Sequence, residues 1–169
     1  MKSGRTPTLV LVLLYACFLA FWAWSEPHLP DRVATHFNFS GQPDGWMSRS
    51  ASQAFTLVFG LAFPLFIVVL CFIARFLPVG AINVPNREYW LAPERRKETL
   101  AYLLRHSLWF ACLAVCLVMG MQYLVVKANQ QTPPHMDTSF LLGLAGLFLT
   151  GVAVWVLVLF RHFRRRGDG

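Results

Sequence analysis

The residues best suited to chemistry lie in one short polar stretch, residues 29 to 50, "LPDRVATHFNFSGQPDGWMSRS". His36, Asp31 and Asp44, with His28 just upstream, combine an imidazole with carboxylates, the groups that hold a metal ion or pass a proton. Their spacing matches no established ligand pattern, and the chain contains no GxSxG, HExxH or phosphate-cradling glycine loop. The competing reading is structural, and we prefer it. His36 bonds a neighbouring backbone or carboxylate group, and Asp31 or Asp44 pairs with Arg32 or Arg49, so that the segment keeps its shape. No metal or cofactor is expected.

The elements that must position these residues are apolar. Of the 169 residues 56% are hydrophobic and 14% charged, and the mean hydropathy of +0.51 is that of a membrane protein. Four apolar runs, each near the ~20 residues that cross hydrocarbon, predict helices at about 7–25, 51–77, 93–126 and 138–162. The expected fold is an all-α membrane protein, a four-transmembrane-helix bundle forming a single domain over residues 1–169. A small β-hairpin-like cap (26–50) joins the first two helices, and a cytoplasmic loop (78–92) joins the second and third. The first run is read as a retained span and not a cleaved signal, because Phe21, Trp22 and Trp24 poorly suit a small-residue cleavage site.

The net charge of +7 would suggest a nucleic-acid partner in a soluble protein. Its distribution argues otherwise. Lys2 and Arg5 precede the first run; Arg75, Arg87, Arg95, Arg96, Lys97 and Arg105 lie between the second and third; Arg161, Arg164, Arg165 and Arg166 follow the fourth. By the positive-inside rule both termini and the middle loop are cytoplasmic and the polar stretch is outside. The basic tail is a topology anchor beside anionic lipid, and nucleic acid is not expected as a partner.

Local signals refine this outline. Thr6 before Pro7, and Ser50 with Gln53, read as helix starts. Pro64 interrupts the second run, so another group should approach the carbonyl it leaves free. Small residues recur at spacings of three and four: Ala16, Ala20 and Ala23; Ser107, Ala111 and Ala114; and Ser139, Gly143, Gly146, Thr150 and Ala153. These predict packing faces, with a dimer contact on the last helix as the alternative. No carboxylate or lysine lies near the middle of any run, which argues against an ion pump; Tyr15 and Gln122 are the large polar side chains deeper in. Cys17, Cys71, Cys112 and Cys116 sit within the apolar runs and imply no disulfide framework.

Within the cap, Arg32 to Ser40 alternates, with Val33, Thr35, Phe37 and Phe39 on one side, and predicts a strand. Gln42 to Gly45, through Pro43 and Asp44, predicts a tight turn, after which Trp46 rests on the helix tops or the membrane surface. In the cytoplasmic segment, Tyr89 and Trp90 suit the interface, Pro93 and Glu94 suit the first turn of a helix, and Arg95, Arg96 and Lys97 beside Glu94 and Glu98 suggest short-range ion pairs.

The stretch with His36, Asn38, Gly41, Pro43, Asp44, Gly45 and Trp46 resembles the signature of a bacterial membrane family of unknown function, a domain that also forms the N-terminal part of the sporulation-delaying-toxin immunity protein. "INVPNREYWLAPERRKET", with Asn86, Tyr89, Trp90, Pro93, Glu94 and Arg95, is similar to a second segment of such proteins. The resemblance implies a polytopic inner-membrane protein and, for the longer immunity proteins, protection against a secreted peptide toxin with relay to a cytoplasmic repressor. The expected function is therefore non-enzymatic: recognition of a peptide or lipid ligand of the envelope, in immunity or signalling, with the bilayer and a membrane or cytoplasmic protein as partners. Two alternatives stand beside it, an accessory subunit packing on a transporter through the last helix and a membrane enzyme using His36 and the acidic cap residues.

Overall fold

The computed structural model describes residues 5–164. Lys2, Arg165 and Arg166 lie outside the described residues. Helix α1 covers Arg5–Ser25, and the hairpin strands β1 and β2 cover Arg32–Phe37 and Pro43–Ser48. Then come α2 (Arg49–Ile73), the single turn α3 (Arg87–Trp90), α4 (Pro93–Asn129) and α5 (Thr138–Arg164). Among the described residues four helices, α1, α2, α4 and α5, are long and apolar enough to cross a membrane.

The long helix α4 is the centre of the bundle, packing against α1, α2 and α5. Its small residues permit this: Ser107, Ala111 and Ala114 are buried, letting neighbouring backbones approach. The main cluster joins Leu11 and Phe18 of α1 to Ala111, Cys112, Val115 and Val118 of α4. On α2, Gly60 faces the Phe18 ring so closely that a Cβ there would lie 2.3 Å from Cζ. Pro64 is buried on the same side, and the Tyr15 hydroxyl donates to the Leu61 carbonyl at 3.2 Å, beside the turn whose hydrogen bond the proline removes.

Two of the small-residue stripes face outward instead. Ala16, Ala20 and Ala23 are exposed, because the bulkier Leu11 and Phe18 occupy the α1 packing face. Ser139, Gly143, Gly146, Thr150 and Ala153 are also exposed, and a Cβ at Gly143 or Gly146 would meet nothing within 4 Å. The helix starts differ too. Thr6 lies inside α1, and α2 is capped by Ser48, whose Oγ accepts from the Ala51 amide at 3.2 Å. Gln53 does not reach back to close a capping box; its side chain is turned into the bundle.

Candidate functional site

The hairpin differs in register from its sequence pattern. The turn spans Asn38 to Gln42, and Pro43, Asp44 and Gly45 lie in β2. Asn38 decides this: its Oδ1 accepts from the amides of Ser40 and Gln42, at 2.9 and 3.0 Å, and its backbone amide donates to the Gln42 carbonyl at 2.9 Å. Gly41 supplies the positive φ of 76° that the turn needs. Phe39 is left fully exposed at the tip. Pairing shifts twice, from Ala34–Trp46 to His36–Gly45 and then to Phe37–Pro43, which sets Thr35 and Asp44 outside the register. These bulges end the expected alternation and swing the Asp44 carboxylate beside the His36 imidazole.

Four attachments hold the hairpin on the bundle. Asn129 at the end of α4 acts as a substitute strand: its Oδ1 accepts from the Ala34 amide at 2.8 Å and its Nδ2 donates to the Ala34 carbonyl at 2.9 Å. Val33 is buried with Leu29 and Val126. The Gly41 carbonyl accepts from the Met136 amide at 2.9 Å, tying the tip to the α4–α5 connection. Arg49 pairs with Asp31 by side chain and backbone and lies 3.8 Å from Glu26. Trp46 is partly exposed, with Arg32 stacked 5.1 Å from its ring centre.

The titratable residues of the cap thus fall into separate pairs. His36 is taken by Asp44 and Asp31 by Arg49, while His28 bonds the Trp24 carbonyl at 2.7 Å and stacks on the Trp24 ring. Among the described residues, no three His, Cys, Asp or Glu side chains are grouped as a metal would require.

Beneath the hairpin is a groove of about 400 Å³ between α2 and α4. Thr35, His36 and Met47 form its roof, Phe55 and Phe59 its α2 wall and Met121 part of its α4 wall. Thr56 and Gln122 bring hydrogen-bonding groups into this apolar surface. They belong to a buried network: Thr56 Oγ1 donates to Gln122 Oε1, Gln122 Nε2 and Gln53 Nε2 both donate to Ser25 Oγ, each at 3.0 Å, and Ser25 donates to the Trp22 carbonyl at 2.8 Å. Gln53 is 4% exposed and its Oε1 has no partner among the described residues, a cost of about 1–3 kcal/mol for a buried polar atom. Among these residues sequence reasoning singled out Gln122 and misread Gln53 as a cap. Ser25, Thr56 and Asn129 went unnoticed, although each is a polar residue at or near the end of an apolar run, a signal that could have found them.

At the opposite end the second motif fastens α5. Asn86, at a φ of 52°, opens α3; its Nδ2 and the Trp90 indole both donate to the Phe163 carbonyl, at 3.3 and 3.0 Å. Trp90 packs against His162 and Phe163. Pro93 and Glu94 occupy the first turn of α4. Arg95 does not pair with a glutamate: its Nε donates to the Tyr89 carbonyl at 2.9 Å and its guanidinium covers the Tyr89 ring at 3.8 Å. Arg96 likewise binds the Leu77 carbonyl at 2.6 Å. The ion pairs found among the described residues all lie at the hairpin end.

Residues 12–62 match a family described as a domain of unknown function (DUF1648). The matched stretch takes in most of α1, the whole hairpin and the first half of α2, while the segment around Asn86 and Trp90 lies beyond it. No curated protein and no solved structure matches the chain.

Proposed function

We propose that this chain is a non-enzymatic, multi-pass protein of the bacterial cytoplasmic membrane whose hairpin faces outward, and that the groove under the hairpin recognises an amphiphilic peptide of the envelope, in an immunity or signalling role. The observation that carries the reading is the groove itself, an apolar slot at the hairpin end with the Thr56 hydroxyl and the Gln122 amide set into it. Side chains of this kind hydrogen-bond a peptide backbone where water is scarce, and aromatic walls take its apolar side chains. The outward orientation is supported by the arginines gathered at the other end. A binding role is further supported by the pairing of His36 with Asp44 and of Asp31 with Arg49, which engages the cap's titratable groups with one another.

Two experiments test the reading. In a cysteine-free background, Gln42→Cys should react with an impermeant thiol reagent in whole cells and Arg96→Cys should not; the reverse result removes the orientation. Cells lacking the gene should become more sensitive to envelope-active peptides, and wild-type protein, but not a Thr56→Val/Gln122→Leu variant that still inserts, should restore resistance. Unchanged sensitivity, with no change in gene expression on peptide challenge, removes the immunity and signalling role.

A second reading has its own observation. The exposed stripe of Gly143, Gly146, Thr150 and Ala153 leaves one side of α5 free for another membrane helix, as in an accessory subunit. Co-purification in mild detergent that is lost in Gly143→Leu would favour it.

A further inference from the structure

A larger groove of about 850 Å³ runs between α1 and α5, with α4 as its floor. It exists because α5 packs on α4 without closing on α1. Val10 and Leu14 line it from α1, Leu113 and Cys116 from α4, and Leu147 and Val154 from α5. From Leu144 to Val158 it follows α5 for about 21 Å at ~1.5 Å per residue, beyond the ~15 Å of one leaflet of a ~30 Å hydrocarbon core.

Charge sits at one end of this apolar slot. On α4, Arg105 lies one turn before the lining residue Trp109; on α5, Arg161 follows Val154 and Val158 on the same face. Arg75 is engaged by the Phe72 carbonyl and ring, Arg87 by the Gly80 carbonyl, and Arg95 and Arg96 as described above, while Arg5 and Arg164, at the helix ends, lie further from the groove lining in sequence. Arg105 and Arg161 make no hydrogen bond or ion pair among the described residues.

We propose that this groove is a binding site for an anionic phospholipid, one acyl chain lying along α4 between α1 and α5 and the phosphate held by Arg105 and Arg161. An apolar channel open to hydrocarbon takes an acyl chain without exposing either surface to water. A guanidinium offers planar paired donors suited to phosphate oxygens, and two of them favour a lipid carrying net negative charge over a zwitterionic one. The site shares with the hairpin groove only the reading that the bundle is inserted in a bilayer.

The test uses the full chain in nanodiscs of equal parts phosphatidylglycerol and phosphatidylcholine, with retained lipid read by native mass spectrometry. The wild type should retain phosphatidylglycerol preferentially, and Arg105→Ala/Arg161→Ala should lower that retention about tenfold. Arg105→Lys/Arg161→Lys should largely restore it, and Leu147→Trp, which fills the groove and leaves both arginines, should lower it as well. Unaltered thermal midpoints in the arginine variants separate lipid loss from unfolding. Equal retention of the two lipids, unchanged retention in the double alanine variant, or a second copy of the chain in place of lipid would each overturn the proposal. No peptide enters the measurement, so its failure leaves the role of the hairpin groove untouched.

Discussion

His106 and Trp155 each donate a ring N–H to the other's backbone carbonyl, His106 Nε2 to Trp155 at 3.0 Å and Trp155 Nε1 to His106 at 2.8 Å, with the rings stacked 4.5 Å apart. This reciprocal pair is how α5, which packs mainly on α4, is fixed along and around its axis. The stack continues through Tyr102 and His162 to Trp90, so the α4–α5 seam and the α3 turn form one aromatic column.

Removing the Trp155 donor alone should therefore cost less than removing the ring. Hydrogen bonds between membrane helices average about 0.6 kcal/mol and reach about 1.7, and aromatic pairs add about 0.5–1.5. Trp155→Phe, which keeps the stack, should lose about 1 kcal/mol in micellar unfolding, and Trp155→Leu about 2. Equal losses would mean that the aromatic stack contributes nothing, and an unchanged Trp155→Phe that the indole N–H contributes nothing.

The hairpin turn makes a sharper demand at Gly41. A Cβ there would lie 2.4 Å from the Met136 carbonyl oxygen, at a φ of 76° that side chains rarely adopt. Gly41→Ala should cost more than the ~1–2 kcal/mol of a left-handed residue, and should loosen the tip, seen as faster amide exchange at Met136. Asn38→Ala removes two turn bonds but no steric fit, so it should speed exchange within residues 38–42 and leave Met136 protected.

The division between what the sequence shows and what it conceals follows from this geometry. The four long helices were legible because a helix long and apolar enough to cross a membrane needs an unbroken apolar run of ~20 residues, and Pro93 marks the start of α4 where it was expected. The hairpin's existence was legible, its register was not. Pro43-Asp44-Gly45 has the chemistry of a turn, but Asn38 with Gly41 makes a better one, and the bulges at Thr35 and Asp44 have no periodic signature. Packing faces were equally hidden: on α1 the small residues face outward because Phe18 fills the space beside Gly60. Asn129 escaped notice because its partner, Ala34, is 95 residues away.

Glycines that look alike in the sequence should separate by context. Gly60→Ala would press a methyl group into the buried Phe18 ring and should cost about 1–3 kcal/mol, the usual range for an overpacked core. Gly143→Ala and Gly146→Ala meet open space and should be neutral or, by the ~1 kcal/mol advantage of alanine in a helix, stabilising. Thermal unfolding of the three variants in one detergent checks this, and a destabilised Gly143→Ala monomer would contradict the outward placing of that face.

Asn129 carries the last prediction, because one side chain satisfies both backbone groups of Ala34 and also donates to the Val125 carbonyl at 2.9 Å. Asn129→Leu leaves the buried Ala34 amide and carbonyl without partners, at about 1–3 kcal/mol each. Asn129→Asp keeps the acceptor for the Ala34 amide but sets a carboxylate against two carbonyl oxygens that had shared the Nδ2 donors. Both variants should detach β1 from α4 and speed exchange of the Ala34 amide, while the helical content of the bundle stays unchanged. If that amide remained protected in Asn129→Leu, the hairpin would be held by the burial of Val33 against Val126, by the Gly41–Met136 bond and by the Arg49–Asp31 pair, and the Asn129 side chain would have no part in setting its position over the groove.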